Sequence, residues 1–120
     1  QIRLHPKTMS PTASTQDIVT LLTAVPGTEE AKRIARTLVS ERLAACANII
    51  PEISSIYWWE GEVQDEQEAM LIIKTTAAQV DALEVRLVEL HPYDVPELLS
   101  IPVTGGHPPY IAWVGSEVEG

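Results

Sequence analysis

The sequence predicts an α+β fold of the ferredoxin-like kind (βαββαβ): an antiparallel sheet with two helices on one face and a short helix at the C-terminal end. Three observations carry that reading. Runs with strand and helix periods follow one another in the order strand, helix, strand, strand, helix, strand. Two long β-rich runs are joined by the pair Glu60-Gly61, a hairpin signal. The 120 residues are enough for one domain with a single buried core.

Taken in order, "DIVTLLTAV" (Asp17 to Val25) is a short apolar run closed by Pro26-Gly27, the pattern of a buried strand. "TEEAKRIARTLVSERL" places Ala31, Ile34, Ala35, Leu38 and Val39 on one helical face. Glu29 and Glu30 suit the positive end of its dipole and Arg42 the negative end. "CANIIPEISSIYWW" (Cys46 to Trp59) alternates as a strand, and Pro51 predicts a bulge, a bend or an edge position because proline has no ladder donor. The returning arm begins polar, "EVQDEQE", and ends apolar, "AMLIIKTT", so its halves face different surroundings. Thr76 and Gln79 form a capping-box pattern ahead of "AAQVDALEVRLVEL", whose apolar stripe is Val80, Leu83, Leu87 and Leu90. His91-Pro92 stops that helix. "PELLSIPV" supplies the last strand, "TGGHPP" a loop and "PYIAWVGSEV" the closing helix.

Composition narrows the function. The formal net charge is −9 and no Lys or Arg follows Arg86, so nucleic acids and anionic membrane surfaces are poor partners. No apolar run approaches the roughly 20 residues of a membrane span. Cys46 is the single cysteine, which excludes an internal disulfide and a multi-cysteine zinc site and suits a reducing, cytoplasmic setting. The stretch "QIRLHPKTMSPTASTQ" (1–16) reads as a disordered tail without a signal-peptide core, with Met9 a native start and residues 1–8 an addition ahead of it. One domain then spans 17–120. GxGxxG, P-loop, HExxH and GxSxG patterns are missing, so the reading is non-enzymatic.

The stretch "IYWWEGEV" implies a second copy of the chain. Ile56 and Trp58 point one way from a strand while Tyr57 and Trp59 point the other, so both faces carry large apolar groups. Two helices cover one face and cannot cover a hairpin running from Cys46 to Thr76. A protruding, two-sided hairpin is an aggregation hazard unless another chain buries it. The expectation is a homo-oligomer; the alternative places one tryptophan in the monomer core and the other at its rim.

The segments "ERLAACANIIPEISSIYWWEGEV", "MLIIKTT", "HPYDVPELLSIPV" and "YIAWV", in that order, resemble the CutA family of divalent-cation tolerance proteins from about Ile18 to Val114. The resemblance implies a ferredoxin-like homotrimer similar in architecture to the PII signalling proteins, with Ile56 and Trp58 at the trimer interface. It implies that Tyr57, Trp59, Lys74, Tyr93 and Glu97 lie near clefts between subunits. It also implies a link to divalent cations, Cu(II) foremost, through a first-strand cysteine and a His-His pair. Those positions are Leu22 and Leu90-His91 here, so His91 is the one candidate ligand retained, with Cys46 a second candidate elsewhere. Imidazole at a helix end is equally suited to capping, and a lone cysteine to a buried apolar role. Three functions follow: a trimer in metal tolerance that binds copper weakly through its acidic surface and His91, a PII-like sensor of small molecules, and a structural or interaction trimer.

Overall fold

A long hairpin dominates the shape. The computed structural model describes residues 17–118. The expected tail at 1–16, Met9 within it, and the last two residues lie outside the described residues. Strand β1 (Ile18–Val25) leads to helix α1 (Thr28–Ser40), then to β2 (Cys46–Trp59) and β3 (Glu62–Thr76). A single 3-10 turn (Ala77–Gln79) opens α2 (Val80–Leu90), and β4 (Leu99–Pro102) and α3 (Pro108–Glu117) complete the order. The sheet is antiparallel with strand order β2-β3-β1-β4, the expected α+β arrangement. The arms of 14 and 15 residues each reach about 45–50 Å at strand rise, so one axis of the molecule measures 52 Å and the others 26 and 25 Å.

Local chemistry accounts for the hairpin. Glu60 and Gly61 sit at φ 51° and 82°, the left-handed pair of a two-residue turn whose twist matches that of the strands. At Pro51 the pairing of β2 with β3 slips: Ile50 lies opposite Met70 and Ile53 opposite Glu68, so three steps along β2 match two along β3. That is the bulge the proline predicts.

One face of the sheet carries α1 and α2. Leu21 and Val25 of β1 and Ala69, Leu71 and Ile73 of β3 pack there against Ala31, Ile34, Ala35 and Leu38 of α1 and Leu83 and Leu87 of α2. These are the helical stripes expected, except that Val39 is exposed. Its position follows from how α1 ends. Arg42 takes a left-handed φ of 63°, with its N–H on the Val39 carbonyl and the Leu43 N–H on the Leu38 carbonyl, a Schellman closure. The helix therefore stops three residues before the expected Leu43. Arg42 does not meet the dipole from within the last turn; its guanidinium bonds the Glu117 carboxylate at 2.9 Å and clips α3 to the end of α1.

Two further expectations are corrected. Thr76 makes no side-chain cap, because the turn it precedes is 3-10 and not α-helical. The last strand covers only Leu99–Pro102, while residues 91–98 form a loop around the end of β1.

The opposite face is only partly covered. Helix α3 lays Val114 and, less deeply, Tyr110 and Trp113 over Ile18, Ala45 and Cys46 at one end. Pairing register puts Leu22, Ile50, Met70, Ile72, Leu99 and Ile101 on the remainder of that face. Ile50, Leu99 and Ile101 are 41%, 57% and 45% exposed. No helix among the described residues is long and apolar enough to cross a membrane.

Candidate functional site

The Glu60-Gly61 turn sets the pairing of the outer hairpin, which runs from it back to the bulge. Beyond it, Ser55, Tyr57 and Trp59 pair with Glu66, Gln64 and Glu62, so these six side chains share one side. Ile56 and Trp58, paired with Asp65 and Val63, stand on the other. There Ile56, Trp58 and Val63 form a strip 69%, 72% and 57% exposed, beyond the reach of α1 and α2.

On the first side lies a groove with a cavity volume of about 740 Å³. Its wall on the hairpin is Tyr57, Trp59, Glu66 and Glu68, and the loop after α2 closes the other side with Tyr93, Asp94 and Glu97. Four of the five residues expected at a cleft thus meet in one place. Within one chain Lys74 does not join them. It lies near the other end of β3, opposite Cys46, where its ammonium bonds the Asn48 side-chain carbonyl.

His91 does not line the groove but joins two residues that do, Ala24 and Tyr93. Its backbone N–H bonds the Leu87 carbonyl and caps α2. The ring is buried, with Nε2 2.8 Å from the Ala24 carbonyl and Nδ1 accepting the Tyr93 N–H at 3.1 Å. An Nδ1 that accepts is unprotonated, so the proton sits on Nε2 and donates to Ala24. The Tyr93 ring leans on the imidazole with centroids 5.0 Å apart, and its hydroxyl donates to Glu68 Oε2 at 2.8 Å. The Tyr57 hydroxyl donates to Glu66 in the same way. Burial and the Glu68 carboxylate push the Tyr93 phenol well above its usual range. The hydrogen bond to Glu66 pushes Tyr57 up to about 12.

The candidate metal ligands are not brought together. Cys46 is buried at the Ile18 end of the sheet, its Sγ 3.8 Å from Asn48 Oδ1, whereas His91 caps the Ala24 end. The four-residue span from Thr20, across from the Lys74–Cys46 pair, to Ala24 separates them by roughly 13 Å. Both His91 nitrogens are engaged, and Leu22 packs between Ile72 and Leu99. Among the described residues no group of three His, Cys, Asp or Glu side chains converges as a metal site. The residues present do not fit a built copper centre.

Sequence reasoning missed Gln64, Glu66, Glu68 and Asp94. The signal was the i, i+2 spacing of Glu62, Gln64, Glu66 and Glu68, which puts them on one side of a strand. Counting back from the Glu60-Gly61 turn sets the first three beside Tyr57 and Trp59.

Comparison with known proteins agrees with this architecture. A family model described as CutA1 divalent ion tolerance protein matches residues 19–117. The divalent-cation tolerance protein CutA of Thermus thermophilus is 47% identical over 94 residues, covering 78% of this chain and 91% of that protein. The chloroplastic protein CutA 1 of Oryza sativa is 44% identical over 106 residues, or 88% of this chain. The chain spans 60% of the rice protein's length and 62% of the length of the Xenopus laevis CutA homolog. The crystal structure of CutA from Xylella fastidiosa superposes with a TM-score of 0.84 at 40% identity, over 86% of this chain and 99% of that one. With a family model spanning nearly all the described residues and a superposition at a TM-score of 0.84, the chain belongs to the CutA1 divalent ion tolerance family.

Proposed function

We propose that this chain acts as a non-enzymatic homotrimer in the response to divalent cations, its copies meeting through the uncovered sheet face and the hairpin strip. The observation that carries the reading is the exposed apolar surface: Ile50, Leu99 and Ile101 on the sheet, Ile56, Trp58 and Val63 on the hairpin. Surface of this kind on both sides of one hairpin favours burial against a copy of itself. The number three rests on the family resemblance. The family's description supplies the divalent cations. Cations, Cu(II) among them, are held weakly by the acidic surface, and His91 contributes only by releasing Ala24 or Tyr93. The cytoplasmic setting read from the lone cysteine belongs to the same proposal.

Light scattering tests the assembly. The wild-type chain runs as a trimer, and Trp58→Glu or Leu99→Glu reduces it to smaller species. A monomeric wild type ends the reading.

The groove favours a second, compatible reading: a PII-like sensor whose cleft, at the edge of the assembly, binds a small molecule through Tyr57, Trp59, Tyr93 and Glu97. Lys74 joins that cleft only if a neighbouring copy brings it. Saturable stabilisation in a thermal-shift screen of metabolites is the expected result.

A further inference from the structure

The charge of the groove restricts what it can hold. Glu66, Glu68, Asp94 and Glu97 line it, and among the described residues no Lys or Arg does. Glu68 is only 8% exposed, yet it forms no ion pair among the described residues. Its Oε2 takes the Tyr93 hydroxyl, and Oε1 has no hydrogen-bond partner among those residues. Four carboxylates facing one groove, with no counter-charge among the described residues, favour a cationic group that completes them.

The completing group is not a compact metal ion. The carboxylates do not converge as a metal site, and 740 Å³ is far larger than one ion requires. Glu66 and Glu68 stand two residues apart on one side of β3, about 7 Å along the strand. Trp59, Tyr57 and Tyr93 supply aromatic surface beside them, which attracts an alkylammonium group by its ring faces and its methylenes by contact.

We propose that the groove binds a small organic cation of the alkylammonium type, best a linear diamine or polyamine, with Glu68 and Glu66 as counter-charges and Trp59 as the stacking wall. This deepens the cleft reading above and rests on it. An anionic metabolite is excluded by the same carboxylates.

The test is calorimetric titration of 1,4-diaminobutane and spermidine into the intact assembly, with succinate, nucleoside triphosphate and Mg²⁺ as comparison probes. The expected result is saturable amine binding that weakens roughly tenfold or more in Glu68→Gln and Glu66→Gln while the oligomer mass is unchanged. If Glu68→Gln does not fold, Glu66→Gln and Trp59→Leu carry the comparison. Binding of succinate or nucleotide but not of amine overturns the cation assignment and leaves the cleft as a ligand site. Binding of none of the probes overturns both. Mg²⁺ displacing the amine at equal concentration shows a compact-ion site and overturns the proposal. An assembly that dissociates in Glu68→Gln, with amine binding to wild type absent, assigns the counter-charge to a cation of a neighbouring copy and overturns it too.

Discussion

The Tyr93 hydroxyl donates to Glu68 Oε2 across 2.8 Å, fastening the loop after α2 to the middle of β3. Through the Tyr93 N–H to His91 Nδ1 and His91 Nε2 to Ala24, the connection continues to the end of β1. The loop has no regular structure before β4, so these side chains hold it in place.

Tyr93→Phe removes the donor and leaves the buried Glu68 carboxylate without it. The expected loss is about 1–2 kcal/mol per chain, the range for a hydrogen bond to a charged group at a partly exposed site. Urea denaturation at fixed chain concentration measures it. An unchanged midpoint would mean the loop is held otherwise.

His91→Ala separates the structural role of the ring from a metal role. Loss of a buried ring and two hydrogen bonds destabilises the chain by about 2–3 kcal/mol. The Cu(II) isotherm stays as in wild type, because neither nitrogen is free to coordinate. A saturable isotherm near one ion per chain, abolished in the variant, makes His91 a ligand after all.

The tyrosines give a pH signature. Tyr57 is raised to about 12 by its bond to Glu66, and Tyr110 to about 12 by burial and then by Cys46. Tyr93 is raised too, by burial and Glu68. Each phenol holds its proton more tightly folded than unfolded. Their contribution to stability is therefore complete below the unfolded value of about 10 and is lost as pH rises through about 12. Ultraviolet difference absorbance should show little tyrosinate in the native protein at about pH 11, where the urea-unfolded chain is mostly ionised. Native titration near pH 10 contradicts the hydrogen bonding described.

The hairpin turn offers a gain. Glu60 holds a left-handed φ of 51° that asparagine adopts more readily, so Glu60→Asn should add about 0.5 kcal/mol. Gly61, at φ 82°, should lose about 1 kcal/mol or more on change to Ala. Thermal melts of both variants at one concentration check the signs.

The fold was largely legible because its signals are local. Glu60-Gly61 marks the turn, Pro51 the bulge, and the spacing of Ile34, Ala35 and Leu38 the buried side of α1. What was not legible depends on contacts distant in sequence. Arg42 looked like a dipole partner, but its position beyond the last helical turn turns it toward Glu117. Lys74 does not reach the groove within one chain, because the register sets it opposite Cys46, and sequence alone does not say which copy's groove it serves. The carboxylates of "EVQDEQE" read as a solvated arm, since only the arrival of Tyr93 from another loop shows that Glu68 is buried. The groove's aromatics could be named from the sequence; its acids could not.

The extra residue at Pro51 decides more than curvature. Because strands alternate, one residue inserted or removed exchanges everything beyond it between front and back. The bulge makes that exchange within β2 alone, so that Tyr57 and Trp59 stand on the same side as Asn48 and Ile50. The Glu60-Gly61 turn keeps them beside Glu62, Gln64 and Glu66 while Ile56 and Trp58 look away. Turn and bulge together keep two surfaces of one ribbon distinct, so that a substitution altering the sticky side need not alter the charged one.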